Sequence, residues 1–240
     1  MSAIVTLSRQ LKKFNNLAFH QQPALAQQLI AVQDWQKNRM LQQHAPLFNQ
    51  LQHQRIAHFL THRLYNLNDL IMLGNQLEKA LNEKIKLDRF LPHAVLEAAI
   101  NSFHLAYLTL KLDEQLAKYL LDQGIKAIHD NHIHQAMLAL QQSDGRLKQL
   151  LLLQQLSQAL QHYSRSFLTQ SAFRLARRTA YRREFNFLYD YLTDCFAAIR
   201  QAGNSTAFFD AFIAAEKQVL LHIQQGHAAP FGQNGQIAQT

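Results

Sequence analysis

Apolar residues recur along this chain at the three-and-four spacing of a helix surface. Leu96, Ile100, Phe103, Tyr107 and Leu110 follow it, as do Leu153, Leu156, Leu160, Tyr163 and Phe167. So do Phe185, Leu188, Leu192, Cys195 and Ile199, and a last series, Phe209, Ile213, Glu216, Leu220 and Ile223, has one acidic interruption. Each series draws one stripe down a helix and needs a partner helix to bury it. Earlier stripes are shorter: Leu25, Leu29 and Val32; Leu47, Leu51, Phe59 and Leu64; Leu70, Leu77, Leu81 and Ile85. Together they predict seven to nine helices, over about 3–19, 24–43, 47–65, 69–87, 93–122, 131–143, 146–168, 171–202 and 206–225.

The helix breakers agree. Pro23, Pro46 and Pro92 each precede an amphipathic run, where a fixed φ and a missing N–H suit the first turn. Gly124, Gly145, Gly203 and Gly226 follow such runs as expected left-handed caps, while Gly74 alone interrupts a helical pattern. Asp69, Asp130 or Asn131, and Ser205 are the expected N-caps. No Asn-Gly or Asp-Gly turn joins alternating strands. The predicted fold class is all-α: an irregular, mostly antiparallel bundle forming one domain over residues 1–226. The Gly-, Gln- and Asn-rich segment 227–240 reads as a disordered tail, with Pro230-Phe231 the last part to pack.

Charge changes this picture. Eight of the 24 Lys and Arg lie between Arg146 and Arg183, a stretch without Asp or Glu, and the other sixteen balance the sixteen acids. The net charge of +8 is therefore local, and a local field attracts an anionic partner. Glutamine is abundant, at roughly thirty residues, and reads as polar surface that does not oppose helix. The single Cys195 excludes an internal disulfide and, placed on a stripe, reads as a core thiol. Met1–Thr6 carries no basic segment ahead of a long apolar run, so no secretory leader is expected and a cytoplasmic setting is.

Within the basic stretch, Arg174, Arg177, Arg178, Arg182 and Arg183 crowd the start of the helix that later carries the Phe185–Ile199 stripe. If that helix is continuous and Tyr181 lies on the stripe, Arg174 falls near +20°, Arg177 near −40° and Arg178 near +60° of it. Three guanidiniums would then continue a buried face, and a buried charge needs a partner. The helix could break near Thr179, project past the bundle, or face acids such as Glu97, Asp113 or Glu114. Alternatively Arg174, Arg177, Arg178 and Arg182, with Tyr181 beside them, form an anion- or partner-binding face that grips phosphate or carboxylate. A nucleic acid is a narrower version of that idea; only the charge supports it, and no zinc-finger spacing or RNA-recognition motif accompanies it. Glu216 lies either at the bundle edge or against a buried base, for which an arginine of the basic stretch is the preferred partner.

Other chemistries find little support. His129, His132 and His134 cluster near Asp130 at a helix start, a weak specification for a metal. His20, His104 and His222 stand on apolar-flanked helices, but no glycine-rich haem-binding helix accompanies them. There is no Glu-x-x-His, His-Glu-x-x-His, P-loop, G-x-G-x-x-G or G-x-S-x-G. The residues call for no metal, cofactor or catalytic activity.

Phe59-Leu60-Thr61-His62-Arg63-Leu64-Tyr65 resembles the FFLEELY motif that names a family of bacterial helical proteins, with Phe59, Leu64 and Tyr65 matching it outright. The resemblance extends to a tryptophan-and-arginine helix (Trp35 to Arg39), Leu91-Pro92, Leu112-Asp113, and Glu216 followed by Gly226 and Pro230-Phe231. It implies a helical fold and an intracellular bacterial setting, and no reaction. His62 and Arg63 replace the two glutamates of the motif, so no role of that acidic pair carries over. The motif itself reads as a helix end, with Tyr65 meeting the turn Asn66–Asp69. The functional expectation is an interaction module with a basic helix face; the alternative is a cofactor-binding protein or enzyme whose ligand lies inside the bundle. The first requires the arginines to remain unneutralised once the chain is folded.

Overall fold

The computed structural model describes residues 3–83 and 93–232. Among them are eleven α-helices and no strand. They are α1 (Ala3–Asn15), α2 (Pro23–Gln43), α3 (Ala45–Phe48), α4 (Gln54–Phe59), α5 (Leu67–Asn82), α6 (His93–Asp122), α7 (Asp130–Ala139), α8 (Ser143–Arg165), α9 (Phe167–Arg182), α10 (Asn186–Gln201) and α11 (Ser205–Gln224). A 3-10 turn at Ala18–His20 and a π turn at Leu60–Leu64 complete them. The expected Pro92 helix start, the 84–87 end of the fourth helix and the tail beyond 232 lie outside the described residues.

Helix α6 is the axis of the molecule. It packs against α1, α2 and α8, and α8 in turn packs against α11. Leu110, Leu116, Ala117 and Leu120 of α6 are fully enclosed, as are Leu29 and Val32 of α2 and Phe208 and Ile223 of α11. Ten of the eleven helices contribute side chains to this buried cluster; α9 contributes none. No described helix is long and apolar enough to cross a membrane.

The count exceeds nine for two local reasons. The expected 47–65 helix divides into α3, α4 and the π turn, which ends at Tyr65. The expected 171–202 helix divides at Glu184, whose φ of 61° is left-handed. There the Phe185 N–H reaches the Ala180 carbonyl at 2.8 Å and the Glu184 N–H reaches that of Tyr181 at 3.1 Å. This is a Schellman closure built without glycine. Gln141 (φ 50°) closes α7 likewise, while Gly145, expected as that cap, lies inside α8. The N-caps also sit one to three residues earlier than expected: Asn66 accepts from the Asp69 N–H, His129 precedes α7, and Asn204 accepts from the Ala207 N–H.

Glutamine does more than coat the surface. Gln28, Gln33, Gln36, Gln142 and Gln149 are buried. Gln28 donates to the Ile125 carbonyl at 2.9 Å and Gln142 to that of Leu112 at 2.8 Å, so each ties a loop or helix end to the core. Gly74 exists for space: a Cβ there would lie 2.8 Å from the buried Phe14 ring. Gly74→Ala raises helix propensity yet is expected to lower stability by about 1–3 kcal/mol through overpacking. A thermal melt checks it; a raised midpoint would show that α1 shifts freely off α5.

Candidate functional site

The break at Glu184 uncouples α9 from the α10 stripe, so the arginines do not continue a buried face. Phe173, Ala176 and Ala180 of α9 turn partly inward, and Arg174, Arg177, Arg178, Arg182 and Arg183 are exposed. Among the described residues, no carboxylate approaches any of the five within 4.0 Å. The nearby acids are engaged elsewhere: Glu184 pairs with Lys79 at 2.7 Å and Asp190 accepts from the Tyr181 hydroxyl at 2.7 Å. That hydrogen bond raises the Tyr181 pKa, and the Arg177 guanidinium lies 5.3 Å from the Tyr181 ring. The same helix exposes Phe167 (74%), Leu168 (75%) and Leu175 (81%). On its inner side helix α9 is held by Phe173, edge-on to Phe196 at 5.0 Å and beside Tyr189 at 5.7 Å, and by Gln170, which donates to the Ser164 carbonyl at 3.2 Å.

The rest of the basic stretch behaves differently. Arg146 is buried and donates to Asp113 at 2.7 Å, and Arg165 donates to the Gly203 carbonyl. Asp113 was one expected partner for the α9 arginines; Arg146 takes it instead, because Arg146 sits on the α8 face that packs against α6.

Glu216 does interrupt its stripe to meet a buried base, but not one from the basic stretch. Arg39 grips it bidentately at 2.8 and 2.9 Å, and His44 Nε2 lies 2.6 Å from Oε1. Helix α2 passes α11 at this point, whereas α9 never reaches it. Burial by itself would raise the Glu216 carboxyl; Arg39 and His44 outweigh it and hold it down at about 2. Beside this triad is a cavity of about 70 Å³, with Arg39, Tyr65, Thr109, Arg146, Gln149 and Glu216 on its polar side. Gln149 donates to Thr109 Oγ1 at 2.7 Å and to the Tyr65 hydroxyl at 3.2 Å. Burial pushes the Tyr65 phenol up to about 12, so it stays protonated. Each guanidinium here already has a carboxylate, which leaves no free positive charge for an anion.

The FFLEELY-like segment serves this interior. Phe59 packs edge-on to Tyr191 at 5.2 Å, and Leu64 and Tyr65 line the cavity. Where the motif has glutamates, His62 stacks on His58 at 4.4 Å and Arg63 pairs with Asp69 at 2.7 Å below the Tyr191 ring. Trp35 donates to Asp130 at 3.0 Å and meets Phe231 edge-on at 5.0 Å, with Arg39 5.9 Å from both rings. Trp35, Arg39, Tyr65, Asp113, Glu216 and Phe231 thus meet in or beside one buried network, while Leu91-Pro92 lies outside the described residues.

Reading the sequence missed His44, Arg146 as a core residue, and Gln149. By its pattern alone, only Glu216, an acid on an apolar stripe, signals the network; Arg39, Tyr65 and Asp113 enter through the resemblance. Among the described residues no group of three or more His, Cys, Asp or Glu could hold a metal; the His132 ring instead accepts from the His129 N–H at 3.3 Å. His20, His104 and His222 are absent from the cavity wall. Cys195 is buried, and burial raises its thiol to about 12, which keeps it protonated.

No curated protein and no solved structure matches this chain. The model of one family does, over residues 16–230, which takes in Arg39, His44, Tyr65, Asp113, Arg146, Gln149 and Glu216. The chain belongs to the family described as a domain of unknown function, DUF8198.

Proposed function

We propose that this chain is a non-enzymatic docking module whose exposed helix α9 binds an acidic, amphipathic segment of a partner protein. One observation carries the reading: four guanidiniums free of carboxylates, with a fifth at the C-cap, share helix α9 with three large apolar side chains left in water. Arg174, Arg177, Arg178 and Arg182 would take carboxylates, and Phe167, Leu168 and Leu175 would take apolar side chains interleaved with them. A polynucleotide backbone satisfies the arginines but leaves the apolar three exposed, which favours protein. The bacterial, cytoplasmic setting implied by the FFLEELY resemblance belongs to the same reading. The alternative of a ligand inside the bundle has the central cavity in its favour, but the charges there are already paired.

The test titrates three fluorescent probes: a helical peptide with Glu and Leu on one face, an oligonucleotide of equal charge, and vesicles rich in phosphatidylglycerol. The peptide is expected to bind, and to weaken about tenfold or more between roughly 0.05 and 0.5 M salt as the charges are screened. Arg178→Glu with Arg182→Glu should abolish binding, and Phe167→Ser with Leu175→Ser should weaken it at all salt concentrations. Preferential binding of the oligonucleotide or the vesicles, or indifference to both double variants, would overturn the proposal.

A further inference from the structure

Behind α9, on the side facing the bundle, the end of α8 and the helices α9 and α10 enclose a cleft of about 230 Å³. Two guanidiniums line it, Arg174 from α9 and Arg200 from the end of α10. Neither has a carboxylate within 4.0 Å among the described residues. Two guanidiniums without carboxylates on the wall of one concavity give it a positive potential that favours an anion. The walls say what the anion carries. Phe173 and Phe196 meet edge to face at 5.0 Å, Tyr189 lies 5.7 Å from Phe173, and Tyr163 lines the same cleft. Thr169 and Ser164 add buried hydroxyls, though the Ser164 hydroxyl already donates to the Gln161 carbonyl at 3.1 Å.

We infer that this cleft is a binding site for a small organic anion with one aromatic ring, its carboxylate or phosphate held by Arg174 and Arg200 and its ring seated among Phe173, Tyr189 and Phe196. A cavity of about 150 Å³ accepts benzene, so this volume has room for a single ring and a charged head. Aromatic walls favour a flat ring by edge and face contacts, and a guanidinium pair favours a head with two or more oxygens. The central cavity offers nothing comparable, being smaller and with each arginine already paired. The site overlaps the docking face at one residue. It shares Arg174 with that face, but Arg200 belongs to the cleft alone, and Arg178 and Arg182 to the face alone.

The probes are phenyl phosphate, benzoate, inorganic phosphate and benzyl alcohol, titrated calorimetrically against the full chain at low salt. Phenyl phosphate or benzoate should bind; inorganic phosphate, lacking the ring, should bind about tenfold more weakly, and benzyl alcohol, lacking the charge, should not register. Whichever aromatic anion binds tighter identifies the head group. Arg200 is exposed, so Arg200→Gln should leave the melting curve unchanged while weakening the aromatic anion about tenfold or more. Arg200→Lys should restore part of the affinity, and Arg178→Gln with Arg182→Gln should leave it intact. Ring resonances of Tyr189 should shift on titration, an independent reading of where the ligand sits. Absence of binding, equal affinity for inorganic and phenyl phosphate, or equal losses in the Arg200 and Arg178/Arg182 variants would each overturn the inference.

Discussion

Glu216→Ala is expected to lower the unfolding free energy by about 3–5 kcal/mol, a large part of what a domain of this size possesses. The effect does not come from the lost carboxylate itself. It comes from Arg39, which is 9% exposed and would be left charged, with its bidentate acceptor gone, between the Trp35 and Phe231 rings. His44, 3% exposed, loses its partner at the same stroke. Urea denaturation monitored by Trp35 fluorescence measures it, because that ring packs on the segment that would loosen. Replacing both members, Arg39→Met with Glu216→Leu, should recover most of the loss, since no charge is then stranded. A double variant as unstable as the single one would show that shape, and not charge, fixes this crossing of α2 and α11.

The same carboxylate predicts acid sensitivity. Its folded pKa of about 2 lies below the ordinary 4.5, so the unfolded chain binds the proton more readily. The stabilisation is complete above about pH 4.5 and disappears as pH falls toward 2, a span worth about 3 kcal/mol. Glu216→Gln should flatten that part of the stability curve.

Periodicity reveals which face of a helix is buried, and that is why α2, α6 and α11 lie within a residue or two of their expected spans. It does not reveal which neighbour covers the face. Glu216 could be recognised as a misfit on its stripe, but Arg39, 177 positions away, could be matched to it only once α2 and α11 were seen to cross. A break between α9 and α10 is one of the readings the sequence allows, near Thr179; it falls at Glu184 instead, where a non-glycine residue takes the left-handed turn. Without that break, the arginines of α9 compute onto the wrong face. Arg146 was misjudged for a related reason: eight basic residues in one stretch look like one field, yet Arg146 belongs to the α8 face against α6 and Arg174–Arg183 to a helix outside the core. The free arginines were therefore legible in number and sign, and the cleft they share with Arg200 was not.

Arg146→Met should prove nearly as damaging at neutral pH, by about 3–5 kcal/mol, and its dependence on acid should run the other way. Methionine keeps most of the buried length of the side chain, so packing changes little. What remains is Asp113, fully enclosed against α8, with no cation. Even in the native pair burial raises the Asp113 carboxyl above its ordinary 3.8, against the pull of Arg146. Removing Arg146 raises it further, so the folded variant takes up a proton that the unfolded chain does not hold. Its stability should therefore increase as pH falls from neutral toward about 4.5, above the range in which the Glu216 contribution is lost. Denaturation at about pH 7 and pH 4.5 measures the difference, and Asp113→Leu in the same background should remove it. An equal loss at both pH values would mean that the guanidinium acts by filling space and that the carboxylate finds another donor. A loss that shrinks in acid means the two buried pairs tune stability in opposite directions: Glu216 gives way below pH 4.5, while Asp113 becomes cheaper to bury.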